Sequence, residues 1–387
     1  MANTHSPLAP VNFIPQVQDF RNMRLVAKAI SDTKFSSKLY SGQSIDFPYI
    51  SGVYTQDYTP GTDLTIANNT ATSDTMTINQ SKASTFTLDP NQQAQAEDKT
   101  IQARLADQQA FVLASTVDQT LFTTMASGAV NTTTVGTVNV SNIISTMSSQ
   151  KATLARKNAN RSTYAVLDPE RIALLEQAQI ANGFSLADSA LRNGYVGDTL
   201  GFKVFSSNNL PTSVGYTMDT INTAGKVFEV AGVEFTFVAN GTAANAGEIS
   251  IGANVTANQA NFLLAINGTG TPGASTYIDV SAEDRITLKN AGIAASAFAT
   301  NVSTITGFGK LDASTDSADG NNDLGAETGS IFFGEMGSTG LGMQIMPSMY
   351  EGREAKRPET NYILHELFGT KVFYRAAKRI INATINV

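Results

Sequence analysis

Leu191-Arg192-Asn193-Gly194-Tyr195-Val196-Gly197-Asp198-Thr199-Leu200-Gly201-Phe202-Lys203-Val204-Phe205-Ser206-Ser207-Asn208-Asn209-Leu210-Pro211 is the stretch on which the reading of this chain turns. Gly194, Gly197 and Gly201 punctuate it, and Asn208-Asn209-Leu210-Pro211 closes it. Just upstream, Tyr164-Ala165-Val166-Leu167 reads as a strand. Asp168-Pro169-Glu170 then opens a helix, with a capping residue and Pro at the first helical position. Ile143 to Ala155 forms another helix before that strand.

Further upstream, residues 1 to about 20 are Pro-rich and read as an extended arm. Met23, Val26, Ala27 and Ile30 recur at helical spacing and predict a short helix within Arg21 to Leu39. Between residues 41 and 88 the period changes to two: Ile45, Phe47 and Tyr49 alternate with polar residues, and Met76 and Ile78 do so again. Tyr58-Thr59-Pro60-Gly61-Thr62-Asp63 is turn chemistry between the two runs, so the segment is a long two-stranded excursion. Polar on both faces, it buries little within its own chain and calls for a neighbour. From Pro90 a long helix follows, with Ile101, Leu105, Leu113, Val117, Leu121 and Met125 spaced by fours and Gln109 the polar member of the series. Such a stripe drifts about 40° per step, so the helix meets different partners along its length, and Phe111 and Phe122 widen the face.

Downstream of Pro211 the texture shifts near Asn222. Phe228 to Val238 reads as a hairpin turning at Ala231-Gly232, with Phe228 opposite Phe235 and Val230 opposite Val233. Thr256 with Gln259 suggests a capping box for a helix ending at Asn267-Gly268. Tyr277 to Val280 and Arg285 to Leu288 read as strands, giving a compact α+β module with its own core. Asp312 to Thr328, rich in Asp, Asn, Gly and Ser, leaves the module like a linker. Strands resume at Ile331-Phe332-Phe333, Gly369 to Tyr374 and Ile380 to Val387.

Composition narrows the function. The 387 residues are 42% hydrophobic, enough for a sizeable core, and carry no Cys or Trp. Lack of disulfides suits a reducing cytoplasm. The start, MANTHSPLAPVNFIPQ, has no signal-peptide pattern, and no apolar stretch approaches a membrane span, so no membrane partner is expected. Net charge is −7; Pro211 to Ser330 holds 12 acidic and 4 basic side chains, a net of −8, which leaves about +1 for the remainder. A nucleic-acid binder that grips phosphates needs a clear basic surface, and nothing in this chain supplies one. Gly268-Thr269-Gly270-Thr271-Pro272-Gly273 matches GxGxxG but follows a helix instead of opening one. His365-Glu366 begins like a zinc-protease motif, yet the fifth position is Gly369, and the chain has only His5 and His365. Aligning Gly320 with the Gly of a calcium loop puts Thr315 first and Ala326 last, and the pattern fails. No catalytic, metal or cofactor-binding residue emerges, and the expectation is a non-enzymatic protein.

The order Asn193-Gly194, then Gly197, then Gly201-Phe202-x-Val204, then Ser207-Asn208-Asn209-Leu210-Pro211 resembles the major capsid proteins of tailed double-stranded DNA phages, with the Johnson-type (Hong Kong phage-type) capsid fold. Ile45 to Lys82 is similar to their extended loop, Asn91 to Met125 to their spine helix with Val117-Asp118 where the pair often falls, Leu167-Asp168-Pro169 to their axial domain, and Phe368 to Val372 to a closing strand. The resemblance implies an α+β fold: N-terminal arm and short helix (1–40), extended β-hairpin loop (41–90), peripheral domain with spine helix (91–141 and 346–387), and axial domain (142–221 and 329–345). Residues 222–328 depart from the pattern and read as an inserted surface domain with an acidic linker. It further implies pentamers and hexamers of an icosahedral shell, a portal protein, and packaged double-stranded DNA held inside without sequence specificity; the short arm before Arg21 leaves little room for a fused scaffold, so a separate scaffolding protein is expected. Assembly in the host cytoplasm and residence in the virion follow. Tyr58, Pro60, Gly61, Asp63, Gly194, Gly197, Gly201, Asn208, Asn209 and Pro211 are the candidate assembly contacts. The rival readings are a tail-tube or filament subunit, and a nanocompartment shell protein of the same fold.

Overall fold

A computed structural model describes residues 26–34, 36, 44–51, 53–66, 69–89, 101–159, 162–181, 195–315, 322–353 and 359–387. In chain order the described elements begin with α1 (Ala27–Ile30), β1 (Ser44–Ser51), β2 (Thr70–Thr77), β3 (Gln80–Leu88), α2 (Ile101–Gly128) and β4 (Asn131–Thr137). Then come α3 (Ile143–Arg156), β5 (Thr163–Leu167), α4 (Pro169–Ala181), β6 (Tyr195–Thr199), β7 (Phe202–Ser206) and β8 (Pro211–Met218). The next are β9 (Val227–Val230), β10 (Val233–Val238), β11 (Glu248–Ser250), α5 (Val255–Asn267), α6 (Ala282–Asn290), β12 (Ala294–Ala295) and β13 (Val302–Phe308). The chain closes with β14 (Ser314–Thr315), β15 (Asn322–Leu324), β16 (Thr328–Glu335), β17 (Thr339–Arg353), β18 (Thr360–Val372) and β19 (Ile380–Asn386). They form two compact units, one built on Ala27–Gly128 and Met336–Lys378, the other on Ala129–Glu335 and Arg379–Val387.

In the first unit an antiparallel sheet of order β17-β18-β3 lies along α2. β18 buries every second residue, and Tyr362 and Leu364 pack with Phe86 of β3 and Leu113 of α2. The stripe spaced by fours appears as buried Leu113, Val117, Leu121 and Met125, widened by Phe122. Asp118 is also buried and accepts the Ala27 backbone N–H at 2.9 Å, satisfying a donor at the start of α1. Of the helix expected across residues 21–39, Ala27–Ile30 is α-helical among the described residues. The chain is drawn off it because Asp32 donates to the Thr339 carbonyl (2.8 Å) and bridges Gly340.

In the second unit, β5 is buried on both faces, as a continuous apolar run requires, between β16 and β7. β16 also pairs with β19 and, over two residues, with β8; β19 runs parallel to β4. β8 carries the sheet on to β13, and its alternate residues Val214, Tyr216 and Met218 enter an aromatic core with Phe228, Phe235, Phe237 and Phe262. The expected hairpin is present as β9 and β10, with Phe228 opposite Phe235 and Val230 opposite Val233.

Several local expectations change. Asn254, not Thr256, caps α5: its Oδ1 accepts the Ala257 N–H at 2.9 Å, while Gln259 Nε2 donates to the Met218 carbonyl. Arg285 to Leu288 is helical, because Ser281 accepts the Asp284 N–H and Glu283 and Asp284 suit the positive end of α6. The strand expected at Tyr277–Val280 reduces to a single bridge, Tyr277 to Ile249. The supposed linker is partly sheet, since Ser314–Thr315 pairs with β9 and Asn322–Leu324 with β8. Arg285 staples this region: Nε donates to Asp279 Oδ1 at 3.0 Å, and its two terminal nitrogens donate to the Ile266 and Ala265 carbonyls at 2.9 and 2.8 Å. Arg285→Ala is expected to cost about 1–2 kcal/mol, because it takes the guanidinium donor from the Ile266 carbonyl and the ion pair from Asp279, while the Ala265 carbonyl keeps the Gly268 N–H; urea unfolding measures it.

Candidate functional site

The ten candidate contacts are divided between the two units. Tyr58, Pro60, Gly61 and Asp63 lie together at the tip of the β1–β2 hairpin in the first unit. Gly197, Gly201, Asn208, Asn209 and Pro211 lie in the second. Gly194 is outside the described residues.

β1 and β2 pair in register from Ser44 opposite Thr77 to Ser51 opposite Thr70, a strand pair with no further described strand on either edge. Its base is anchored within its unit by aromatic packing. Phe47 meets Phe373 edge-on at 5.0 Å, Tyr49 stacks on Tyr374 at 5.5 Å, and the Arg375 guanidinium lies 5.3 Å over Tyr49. Asp74 accepts the Tyr374 backbone N–H at 2.6 Å and pairs with Lys371 at 3.4 Å.

Beyond that base the hairpin projects. Gly61 adopts φ +87°, the left-handed conformation its turn requires, and the Thr62 N–H donates to the Thr59 carbonyl at 3.1 Å. Gln56 ties the two arms by accepting the Thr65 N–H at 3.0 Å and donating to its carbonyl. On this loop stand Ile50, Val53, Tyr54, Tyr58, Leu64 and Ile66, all large and exposed; Val53 is 75% and Ile66 94% exposed. The strands are not polar on both faces as expected: Ile45, Phe47 and Tyr49 share one face of β1, which packs with Met76, Phe373 and Tyr374, and exposed large apolar residues gather beyond it toward the tip. The period-two count passed over this feature because Val53, Tyr54, Leu64 and Ile66 fall outside the paired strands.

In the second unit the quoted stretch is a hairpin and its exit. Leu200 and Gly201, at φ +54° and +76°, turn β6 into β7, with Thr199 opposite Phe202; Gly197 sits at a bulge. The Gly201 carbonyl accepts from Lys151 Nζ at 2.7 Å and from Thr163 Oγ1 at 2.9 Å. At the opposite end of β7, Ser207 donates its N–H to the Leu167 carbonyl and accepts the Asn209 N–H at 3.2 Å. Pro211 then begins β8 opposite Phe308, where it needs no N–H. Asn208 and Leu210 border a cleft of about 110 Å³ that Asp168, Thr212, Lys310 and Ile331 also line. Burial pushes the Asp168 carboxyl up, against the Arg171 guanidinium 3.1 Å away that holds it down. Gly197 and Gly201 serve the bulge and the turn of this hairpin.

The other sequence motifs resolve into structure. Gly268 is the left-handed cap of α5, with φ +60°. His365 lies 3.0 Å from Ser81 Oγ, and Glu366 points to the opposite face of β18. Glu327 accepts the Leu311 N–H at 2.6 Å, and Asp323 accepts the Thr315 hydroxyl at 2.8 Å. No group of three or more acidic, His or Cys side chains is disposed to hold a metal among the described residues, and no described helix is long and apolar enough to cross a membrane.

No protein-family model and no curated protein matches the sequence. Solved structures do. That of Gordonia phage Cozz superposes with a TM-score of 0.53 at 9% identity, covering 99% of this chain and 93% of its own. Mycobacterium phage Che8 gives 0.52 at 11% identity, covering 92% and 89%. The capsid structure of the cyanophage P-SCSP1u gives 0.50 at 14% identity, covering 89% and 84%. Coverage near the full length of both partners, with so little identity, means that architecture is what they share. This chain has the mixed α+β fold of these phage structures, the cyanophage capsid among them.

Proposed function

We propose that many copies of this chain assemble as the major capsid protein of a tailed phage, forming an icosahedral shell of pentamers and hexamers around double-stranded DNA. The observation that carries this reading is the projecting hairpin. It is anchored at its base and carries exposed Val53, Tyr54, Tyr58, Leu64 and Ile66 toward a tip that no described residue covers. A monomer gains nothing from such a surface, whereas a subunit that contacts its neighbours in a closed array covers it. The role is structural, not enzymatic, and its place is the virion. In this reading the first unit supplies the extended loop and peripheral domain. The second supplies most of the axial domain, although it also holds residues 129–141 and 379–387, expected in the peripheral domain, while 336–345 fall in the first unit; residues 222–328 are an inserted surface domain whose acidity keeps particles apart. The near-neutral remainder suits a container in which DNA slides. A separate scaffolding protein and a portal protein complete the assembly.

Expression of the chain with its genomic neighbours, followed by negative-stain electron microscopy, tests the proposal. Closed angular shells of uniform size are expected. Tubes or filaments would replace it with the tail-tube reading, shells without DNA in infected cells with the nanocompartment reading, and discrete monomers would remove it.

A further inference from the structure

β18 turns Tyr362, Leu364, Glu366 and Phe368 to the face that α2 covers, and all four are buried, Glu366 with no exposed surface. Both Glu366 carboxyl oxygens are enclosed without a hydrogen-bond partner. A carboxylate in that position carries the full penalty of lost hydration. The charged groups facing it are few. Lys82 of β3 stands directly opposite in register, yet no ion pair joins the two. On β17 the register breaks across from Glu366, between Ile345 (opposite Leu367) and Ser348 (opposite His365), and puts no titratable side chain there. On α2 the described acid is Asp118, committed to the Ala27 N–H. His365 faces the other side of the sheet, against Ser81.

α2 is itself built to yield. The hydroxyls of Thr116, Thr120, Thr123 and Thr124 donate to carbonyls four residues back, at 2.8–2.9 Å, a pattern that loosens and bends helices.

We propose that Glu366 is a proton-controlled latch between β18 and α2: neutral, it lets the sheet seat on the helix; ionised, it drives that contact open toward water and Lys82. Desolvation raises the carboxyl from its ordinary 4.5 to about 7, with Lys82 opposing the rise. The folded state therefore holds this proton more tightly than the unfolded one. The stability it protects is complete below about pH 4.5, is lost as pH rises toward about 7, and levels off above. The latch belongs to the free chain and stands whether or not the chain builds shells.

Hydrogen exchange of the unassembled full chain, corrected for intrinsic rates, is compared at about pH 5.5 and about pH 8 with that of Glu366→Gln. Wild-type amides of β18 and α2 are expected to exchange roughly tenfold faster at the higher pH while those of β5 and β16 do not, and the variant is expected to abolish the difference. In parallel, infrared titration of the wild type should show a buried protonated-carboxyl band that disappears over the same range. An identical pH response in Glu366→Gln overturns the latch. If that variant does not fold, the wild-type band decides alone: its absence at the lower pH overturns the proposal, and its loss with the exchange change upholds it.

Discussion

Subunits carrying both Val53→Asp and Ile66→Asp are expected to stay folded and to form no shells. Both side chains already stand in solvent, so a carboxylate in their place removes no packing; subunit stability should move by no more than about 0.5 kcal/mol per site. Assembly is a different matter. Covering a Val or Ile side chain at an interface is worth about 1.5–3 kcal/mol, and enclosing an unpaired carboxylate there costs several more. Each tenfold in association requires about 1.4 kcal/mol, and the same loss recurs at every copy of the contact in a closed array. Size-exclusion chromatography and electron microscopy read assembly, and thermal denaturation reads folding. Shells as abundant as those of the wild type would mean that the tip faces solvent in the particle. A variant that fails to fold would mean that the tip packs within its own chain.

Phe262→Ala should produce the largest loss of stability. Phe262 is fully buried at the centre of an aromatic cluster: Tyr216 stacks on it at 4.6 Å, Phe228 and Phe237 lie at 5.3 and 6.5 Å, and Phe298 meets it edge-on at 5.7 Å. Truncation forfeits the transfer energy and leaves a cavity that four rings cannot refill without abandoning their own contacts, so about 3–5 kcal/mol is expected. Phe262→Leu, which keeps most of the volume, should lose clearly less. Urea midpoints of the two variants measure this, and a loss below about 1 kcal/mol for Phe262→Ala would show that the cluster is plastic.

The sequence announced what rests on short-range chemistry. Asp168-Pro169 starts α4, Ala231-Gly232 turns β9 into β10, and Pro60-Gly61 turns the long hairpin; each signal lies within a few residues of its effect. The errors came where distant partners decide. Asp32 leaves its helix because Thr339 accepts its N–H, and Gln259 serves the Met218 carbonyl instead of a helix cap. Arg285 to Leu288 carried a strand-like pattern, which the Ser281 cap and two acidic residues overrode. Of the candidate contacts, the hairpin-tip residues were legible as a turn, but the apolar load beside them was not, since exposure is a property of the folded chain. Gly201, Asn208, Asn209 and Pro211 were legible as a motif, and hydrogen bonds and strand pairing place Gly201, Asn209 and Pro211 around β7 and the start of β8.

The position of β19 has a consequence for the order of events during synthesis. β16 pairs with β5 on one side and β19 on the other, so β5, complete at Leu167, waits for residues up to Asn386 before this sheet is filled. At about 5–20 residues per second, the intervening stretch takes roughly 10–40 s to emerge from the ribosome. Until then β16 and β4 each lack the strand that joins them, and the unit cannot complete its cooperative core. A nascent chain whose hairpin tip is already exposed therefore lacks a finished body to offer a partner. Late closure of the sheet keeps this unit unfinished until Asn386 has left the ribosome.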